Sequence, residues 1–274
     1  MWAQVVLPIL GIGVSYAVAI EPHWIRPVTY DVEIPGLPEV FNGFSILHLS
    51  DLHGRVGVFA TAAFKQWHQQ CDMIAVTGDL YSLSLSREAL SGYLQALSAP
   101  QGVYYVSGNH DYRKGKLWVY PWQPKSALLD NRTVAIRRGD DYIWLAGLPD
   151  LVKGQPQWET VQEAWARSSA PVILLSHRPD AALLPGAERC ALVLSGHTHG
   201  GQVAVPGWGA VFRHNHLPGR YVAGYKKGRP TVITSRGLGT SELPIRFAAR
   251  PEIVRIRLWA VNRMPQAIRK GGQR

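Results

Sequence analysis

Eight short apolar runs, most of them closed by a polar cluster, limit what this chain can fold into: FSILHLSD, DMIAVTGD, GVYYVSGNHD, YIWLAGLPD, VILLSH, ALVLSGHTH, TVITS and EIVRIRL. Runs of four to eight residues rich in Val, Ile, Leu and Tyr read as strands covered on both faces. Helix-like stretches such as SREALSGYLQALS and ETVQEAWARS lie between several of them. Buried strands alternating with helices predict an α/β fold around a large sheet core. With 46% hydrophobic and 18% charged residues, the chain is too apolar for a disordered tail and too mixed for a polytopic membrane protein. Its 274 residues read as one main domain. Two cysteines, Cys71 and Cys190, exclude a disulfide-rich scaffold and a four-cysteine zinc site. Each opens an apolar run and reads as a small buried hydrophobe.

Residues 1–20 (MWAQVVLPILGIGVSYAVAI) carry no charge. Twenty helical residues span ~30 Å, the thickness of a bilayer core, so the segment reads as a single N-terminal transmembrane anchor. A signal-like segment cut near Ala17-Val18-Ala19 is the competitor, although no Lys or Arg precedes the apolar run. The nearest basic side chain, Arg26, lies on the C-terminal flank, and the positive-inside rule then favours the cytoplasmic face. Residues 21–40, with Pro22, Pro27, Pro35 and Pro38, read as an extended linker carrying one edge-like strand, VTYDVEI. The catalytic-type domain is expected over 41–262, and 263–274 reads as a basic tail.

Lys and Arg outnumber Asp and Glu by 29 to 19. From Gly200 onward fourteen basic residues face only Glu242 and Glu252, so the excess sits in the last quarter. Such a face suits anionic lipid, phosphate-bearing substrates or nucleic acid, and equally a solvated surface. Nothing in it makes nucleic acid an obligate partner.

Five runs end in groups with metal-ligand chemistry: Asp51-Leu52-His53, Gly78-Asp79, Gly108-Asn109-His110-Asp111, Ser176-His177 and Gly196-His197-Thr198-His199. Each alone is a weak signal. In layered α/β folds, however, strand C-termini form one site edge, so the five can converge across almost 150 residues of chain. Their mixed oxygen and nitrogen donors suit divalent Mn, Fe, Zn or Co.

In this order the motifs resemble the calcineurin-like metallophosphoesterases, whose pattern runs D-x-H, G-D-x-x-D, G-N-H-[DE], H and G-H-x-H. The match spans about Phe44 to Leu258, and GHTHGGQ and SRGLGTSELPIRFAARPEIVRI are similar to the membrane-associated or exported YkuE/YaeI-like bacterial subgroup. The resemblance implies a four-layer sandwich, two packed mixed β-sheets flanked by helices, and a dinuclear metal site. It casts Asp51, His53 and His199 as ligands of one divalent ion, Asn109, His177 and His197 as ligands of the other, and Asp79 as the bridge. Two such ions keep a net positive charge against two carboxylates and lower the pKa of a bridging water towards ~7, giving a hydroxide for in-line attack on phosphorus. His110 becomes the residue that contacts a phosphate oxygen or protonates the leaving group.

One position departs from the pattern. Ser82 stands where G-D-x-x-D has its second aspartate. A hydroxyl cannot stabilise an imidazolium as a carboxylate does, which predicts weaker acid catalysis and a preference for good leaving groups. Arg178, Gln202 and His214 are candidate substrate contacts. The expected function is a membrane-associated phosphohydrolase acting on a phosphodiester, pyrophosphate or activated phosphomonoester. The subgroup resemblance also fits a lipid-linked diphosphate pyrophosphatase of the UDP-2,3-diacylglucosamine hydrolase type. A nuclease and a metal-binding membrane scaffold are the remaining alternatives.

Overall fold

The computed structural model describes residues 2–81, 87–118, 126–205, 207–211, 216 and 218–271. In chain order its strands are β1 (Arg26–Ile34), β2 (Ser45–Leu49), β3 (Met73–Thr77), β4 (Val103–Val106), a small hairpin of β5 (Tyr112–Arg113) and β6 (Lys116–Leu117), and β7 (Ser126–Leu128). There follow β8 (Arg132–Arg138), β9 (Asp141–Leu148), β10 (Val172–Ser176), β11 (Leu192–Ser195), a second hairpin of β12 (Ala204–Val205) and β13 (Gly209–Ala210), then β14 (Gly224–Lys226), β15 (Thr231–Thr234) and β16 (Glu252–Ala260). They build two six-stranded mixed sheets, ordered β1-β16-β2-β3-β4-β7 and β14-β15-β11-β10-β9-β8.

Alternation along each strand explains why the runs are apolar throughout. Ile46, Met73, Ala75 and Val106 of the first sheet meet Ile173, Leu175, Leu192 and Leu194 of the second in one core between the sheets. Their neighbours Leu47, Leu49, Ile74 and Val76 point the other way, onto Phe64 and Trp67 of α2 (Ala62–Gln70) and onto Leu94 of α3 (Arg87–Gln95). Leu148, Leu174 and Val193 pack outward on Trp158 and Val161 of α4 (Trp158–Glu163) and on Trp165. Every central strand is therefore buried on both faces, and the architecture is the helix, sheet, sheet, helix sandwich expected from the sequence. Cys71 and Cys190 are free and buried.

The strands β2, β3 and β4 run parallel, as do β9, β10, β11 and β15. Their C-terminal ends gather at one edge of the sandwich. The first and last strands close the first sheet: β1 pairs in parallel with β16 along its whole length, from Arg26 with Glu252 to Ile34 with Ala260. Acids of the first forty residues answer bases of the last quarter here, with Asp31 bound to Arg257 (2.7 Å) and Glu33 to Arg269 (2.9 Å). The N-terminal α1 (Trp2–Ser15) continues through a π-helical turn, Tyr16–Ile20, and a 3-10 turn, Glu21–His23. The stretch Val6–His23 is long and apolar enough to cross a membrane.

One core residue makes this fold sensitive to acid. His48 of β2 is fully buried, its Nε2 2.8 Å from the Thr77 hydroxyl and its Nδ1 without a hydrogen-bond partner among the described residues. Burial pushes its pKa down to about 3. The unfolded imidazole titrates near 6.5, so at pH values between the two only the unfolded chain takes the proton, and stability falls as pH drops. About 2 kcal/mol should be lost between neutral pH and about pH 5. Urea unfolding at the two pH values should show this loss, and His48→Leu should remove it; an equal decline in the variant would refute the assignment to His48.

Candidate functional site

The loops that leave the C-terminal ends of β2, β3, β4, β10 and β11 carry the five motifs to the shared edge. Five of the motif residues adopt a left-handed backbone that side chains other than glycine rarely take: Asp51 (φ 50°), His53 (44°), Asp79 (54°), His197 (68°) and His199 (50°). Each costs on the order of 1–2 kcal/mol and persists only where the surroundings enforce it. The loops hold one another. Asp51 N–H donates to Gly78 O (3.0 Å), His53 N–H to Asp79 O (2.9 Å) and Gly196 N–H to His177 O (3.0 Å). A side chain at Gly196 would collide with the Ser50 hydroxyl and the Asp51 carboxylate, so the turn between β11 and His197 requires glycine.

All seven expected ligands come together. Asp51 Oδ1 lies 3.5 Å from His199 Nε2, which is 3.3 Å from His53 Nε2. His53 Nε2 is in turn 3.5 Å from Asp79 Oδ2, and the same oxygen lies 3.3 Å from His177 Nε2. Beyond His177 Nε2 stand Asn109 Oδ1 at 3.1 Å and His197 Nδ1 at 3.2 Å. Asp79 thus sits between the two halves of the cluster. Donor atoms of Asp51, His53 and His199, and of Asp51, Asp79 and His177, lie within 4.8 Å of one another. Asp51 contributes an oxygen to both groups. The cluster is nearly closed to solvent, with Asp51, Asp79, His177 and His199 between 0% and 3% exposed. Buried imidazole nitrogens and carboxylate oxygens aimed at one another fit divalent cations well.

The charge state of the protein alone follows from its geometry. Burial pushes Asp51 up to about 6, against the pull of His177. Burial acts on Asp79 in the same sense, but His177, His53 and His110 outweigh it and hold this carboxyl below the usual range. For His177 burial would lower the pKa, yet the Asp79 charge and hydrogen bond raise it well above the ordinary value. Burial pushes His53 down to about 4 and His199 lower than usual too. A cation arriving at His177 therefore has to displace a proton.

Around the cluster lies a supporting set of contacts. His177 Nδ1 is 2.7 Å from Thr77 O; a carbonyl only accepts, so one ring proton sits on Nδ1, and Nε2, which faces the site, is the nitrogen that gives up its proton when a cation binds. Ser50 Oγ donates to Asp51 Oδ2 (2.6 Å). The Asp111 carboxylate accepts from the N–H groups of Gly108 (2.8 Å), Asp79 (2.9 Å) and Leu80 (3.0 Å), tying two motif loops together. Arg178 donates from Nε to Asp150 Oδ2 (2.7 Å), and its Nη1 stands 2.7 Å from His197 Nε2. Arg246, fully buried, reaches His199 Nδ1 at 3.3 Å and the carbonyls of Arg236 (2.8 Å) and Ala249 (2.6 Å).

The cluster opens into a cavity of about 430 Å³ whose lining includes Asp79, Asn109, His110, His197 and His199 together with the apolar Val203, Leu243 and Ile245. His110 is half-buried at this mouth, its ring edge-on to His53 (5.0 Å between centroids) and its N–H donating to Asp79 Oδ1 (2.8 Å). Gln202 lines the cavity too, but its amide is engaged: Oε1 accepts from Ser241 N–H (2.9 Å), and Nε2 donates to Ser241 O (3.0 Å) and Leu243 O (2.9 Å). It shapes the rim loop. Ser82 and His214 lie outside the described residues. Asp111, Asp150 and Arg246 carry parts that motif reading did not assign, although each lies in a quoted stretch: Asp111 ends GNHD, Asp150 ends YIWLAGLPD, and Arg246 falls within SRGLGTSELPIRFAARPEIVRI.

Over residues 44–201 the chain matches the calcineurin-like phosphoesterase family. It is 33% identical to the uncharacterized metallophosphoesterase YkuE of Bacillus subtilis, covering 92% of each chain. It is 31% identical to the phosphodiesterase YaeI of Escherichia coli, covering 90% of this chain and 93% of that one. A transmembrane protein with metallophosphoesterase domain from Danio rerio is 31% identical over 84% of this chain and 57% of its own. Among solved structures, the NAD nucleotidase of Haemophilus influenzae shares the fold over 71% of this chain and 45% of its own, with a TM-score of 0.51 at 13% identity.

Proposed function

The chain belongs to the calcineurin-like phosphoesterase family, and from that premise we propose that it is a membrane-held phosphohydrolase using two divalent cations. The observation that carries the reading is the continuous chain of seven donors through Asp79, five of them buried and Asn109 and His197 half-buried, beside a cavity that His110 also lines. Asp51, His53 and His199 would hold one cation, Asn109, His177 and His197 the other, with Asp79 between them. When bound, the cations supply positive charge for the phosphate oxygens and acidify the attacking water.

The chain's own residues do the rest. Asp79 holds both halves of the cluster and, through Oδ1, fixes the backbone that presents the His110 ring. His110 donates a proton to the leaving oxygen or a hydrogen bond to a phosphate oxygen. Arg178, clamped by Asp150, keeps Nη1 at the His197 end of the site, where it serves as a phosphate contact. Its replacement, Arg178→Gln, should raise KM about tenfold with kcat within about threefold. Steady-state kinetics read the split, and a kcat-only effect would remove Arg178 from binding.

The apolar wall of Val203, Leu243 and Ile245 beside the ligands favours a second, narrower reading, in which the substrate is a lipid-linked diphosphate. The cytoplasmic face remains the side favoured by Arg26. Hydrolysis of bis-p-nitrophenyl phosphate and p-nitrophenyl phosphate by the full chain in detergent, with Mn added or chelated, tests the main reading. Turnover that requires the metal supports it; turnover that is unaffected by chelation and dialysis overturns it.

A further inference from the structure

The N-terminal helix is fastened to the wall of the site. Arg246 N–H donates to Ala17 O (2.9 Å), and the N–H groups of Ala248 (3.0 Å) and Ala249 (2.6 Å) donate to the buried Glu21 carboxylate. The Tyr16 ring meets Phe247 edge-on, 6.3 Å between centroids. Ile245, the next residue before Arg246, lines the cavity. A helix apolar enough to cross a bilayer thus joins the domain at the same edge as the motif loops.

That edge also exposes apolar side chains that the fold does not use. The hairpin β12–β13 is hydrogen-bonded to the helix-binding segment, Ala204 N–H to Phe247 O (2.8 Å) and Phe247 N–H to Gln202 O (3.0 Å). At its turn Trp208 is 91% exposed, the most exposed large hydrophobic side chain among the described residues. Val205 and Val211 of the same hairpin region are exposed too, as are Phe247, which is hydrogen-bonded to the hairpin, and Leu243 on the cavity rim. Scattered exposed hydrophobes are ordinary, but here they adjoin a candidate span. Trp24, just past the helix, carries the Arg250 guanidinium 3.8 Å over its ring. Tryptophan with arginine at a helix end is the composition of a bilayer interface, where the ring buries its apolar body and the cation meets phosphate headgroups. Glu242, an acidic side chain, also lines the cavity.

We propose that the β12–β13 hairpin, led by Trp208, is a second membrane contact that inserts beside the helix and turns the mouth of the cavity towards the bilayer surface. Continuity with the apolar helix names the occupant: a lipid bilayer. The inference rests on the reading of that helix as an anchor, and not on hydrolysis.

Its test uses the full chain in vesicles of phosphatidylcholine and phosphatidylglycerol, with one environment-sensitive fluorophore placed by Trp208→Cys, by Leu10→Cys in the helix, or by Asp140→Cys at the turn that begins β9, on the opposite edge. Cys71 and Cys190 are buried and do not compete for the label. Nitroxide-bearing lipid should quench the probe at position 208 at least about threefold more than the one at 140. Quenching at 10 with none at 208 overturns the second contact and leaves the anchor standing. Quenching at 208 with none at 10 overturns the anchor and, with it, a contact made beside the anchor; loss at both positions overturns both. Far-UV circular dichroism of each labelled chain confirms that the fold is kept.

Discussion

Asp79→Asn should lower turnover of bis-p-nitrophenyl phosphate by at least about a thousandfold while leaving the protein folded. The asparagine amide oxygen can still accept the His110 N–H, so the loop after β4 keeps its place. What is lost is the charge at Oδ2, an oxygen that lies within 3.5 Å of both His53 Nε2 and His177 Nε2. An amide offers either a neutral oxygen or a donor N–H there, and both are poorer partners for cations. Bound metal, measured by elemental analysis after gel filtration, should fall along with activity. A variant that retains two equivalents of metal and most of its turnover would refute the central place given to Asp79.

The second large effect belongs to a residue outside the five ligand motifs, within the SRGLGTSELPIRFAARPEIVRI stretch. Arg246→Met should destabilise the protein by about 3–5 kcal/mol, because the buried guanidinium serves several carbonyls that would be left without donors. Gly239 O, Ala249 O and Arg236 O all accept from it, and it backs His199 Nδ1. Burial has pushed its own pKa down to about 10, still well above neutral, so the cation persists inside the fold. For a domain of this size the loss corresponds to roughly 10 °C in Tm. Thermal unfolding in detergent checks it, and a shift under about 2 °C would show that the loop of residues 236–239 does not depend on the arginine.

Arg246 also marks where sequence reading stops. It lies in the basic last quarter, which reads as a solvated or anion-facing surface, yet it is fully buried. Its partners are backbone carbonyls of surrounding loops, and loop carbonyls carry no side-chain signature. Arg236 is likewise engaged internally, with Glu252 at 2.8 Å. By contrast the central strands were legible because both of their faces are covered, which makes every position apolar. The candidate ligands were legible because each follows such a strand by one to four residues, where parallel topology brings the ends together. Asp150, the polar end of YIWLAGLPD, shows the limit of that rule: it too follows a strand, but what it touches is Arg178, a pairing that only the packed loops reveal. The edge-like run VTYDVEI was visible as a strand, whereas its partner is encoded 226 residues further on.

That distance has a consequence for synthesis. Strand order β1-β16-β2 places the last strand between the first two. At about 5–20 residues per second, the ribosome takes roughly 10–50 s to make the chain between Arg26 and its partner Glu252. Through that interval β1 waits beside the emerging helix with no ladder of its own, and β2 shows an open edge. Closure of the first sheet therefore waits until residues 252–260 have been made, and a nascent chain halted before residue 252 would expose an unpaired β1 and the open edge of β2 to chaperones and proteases alike.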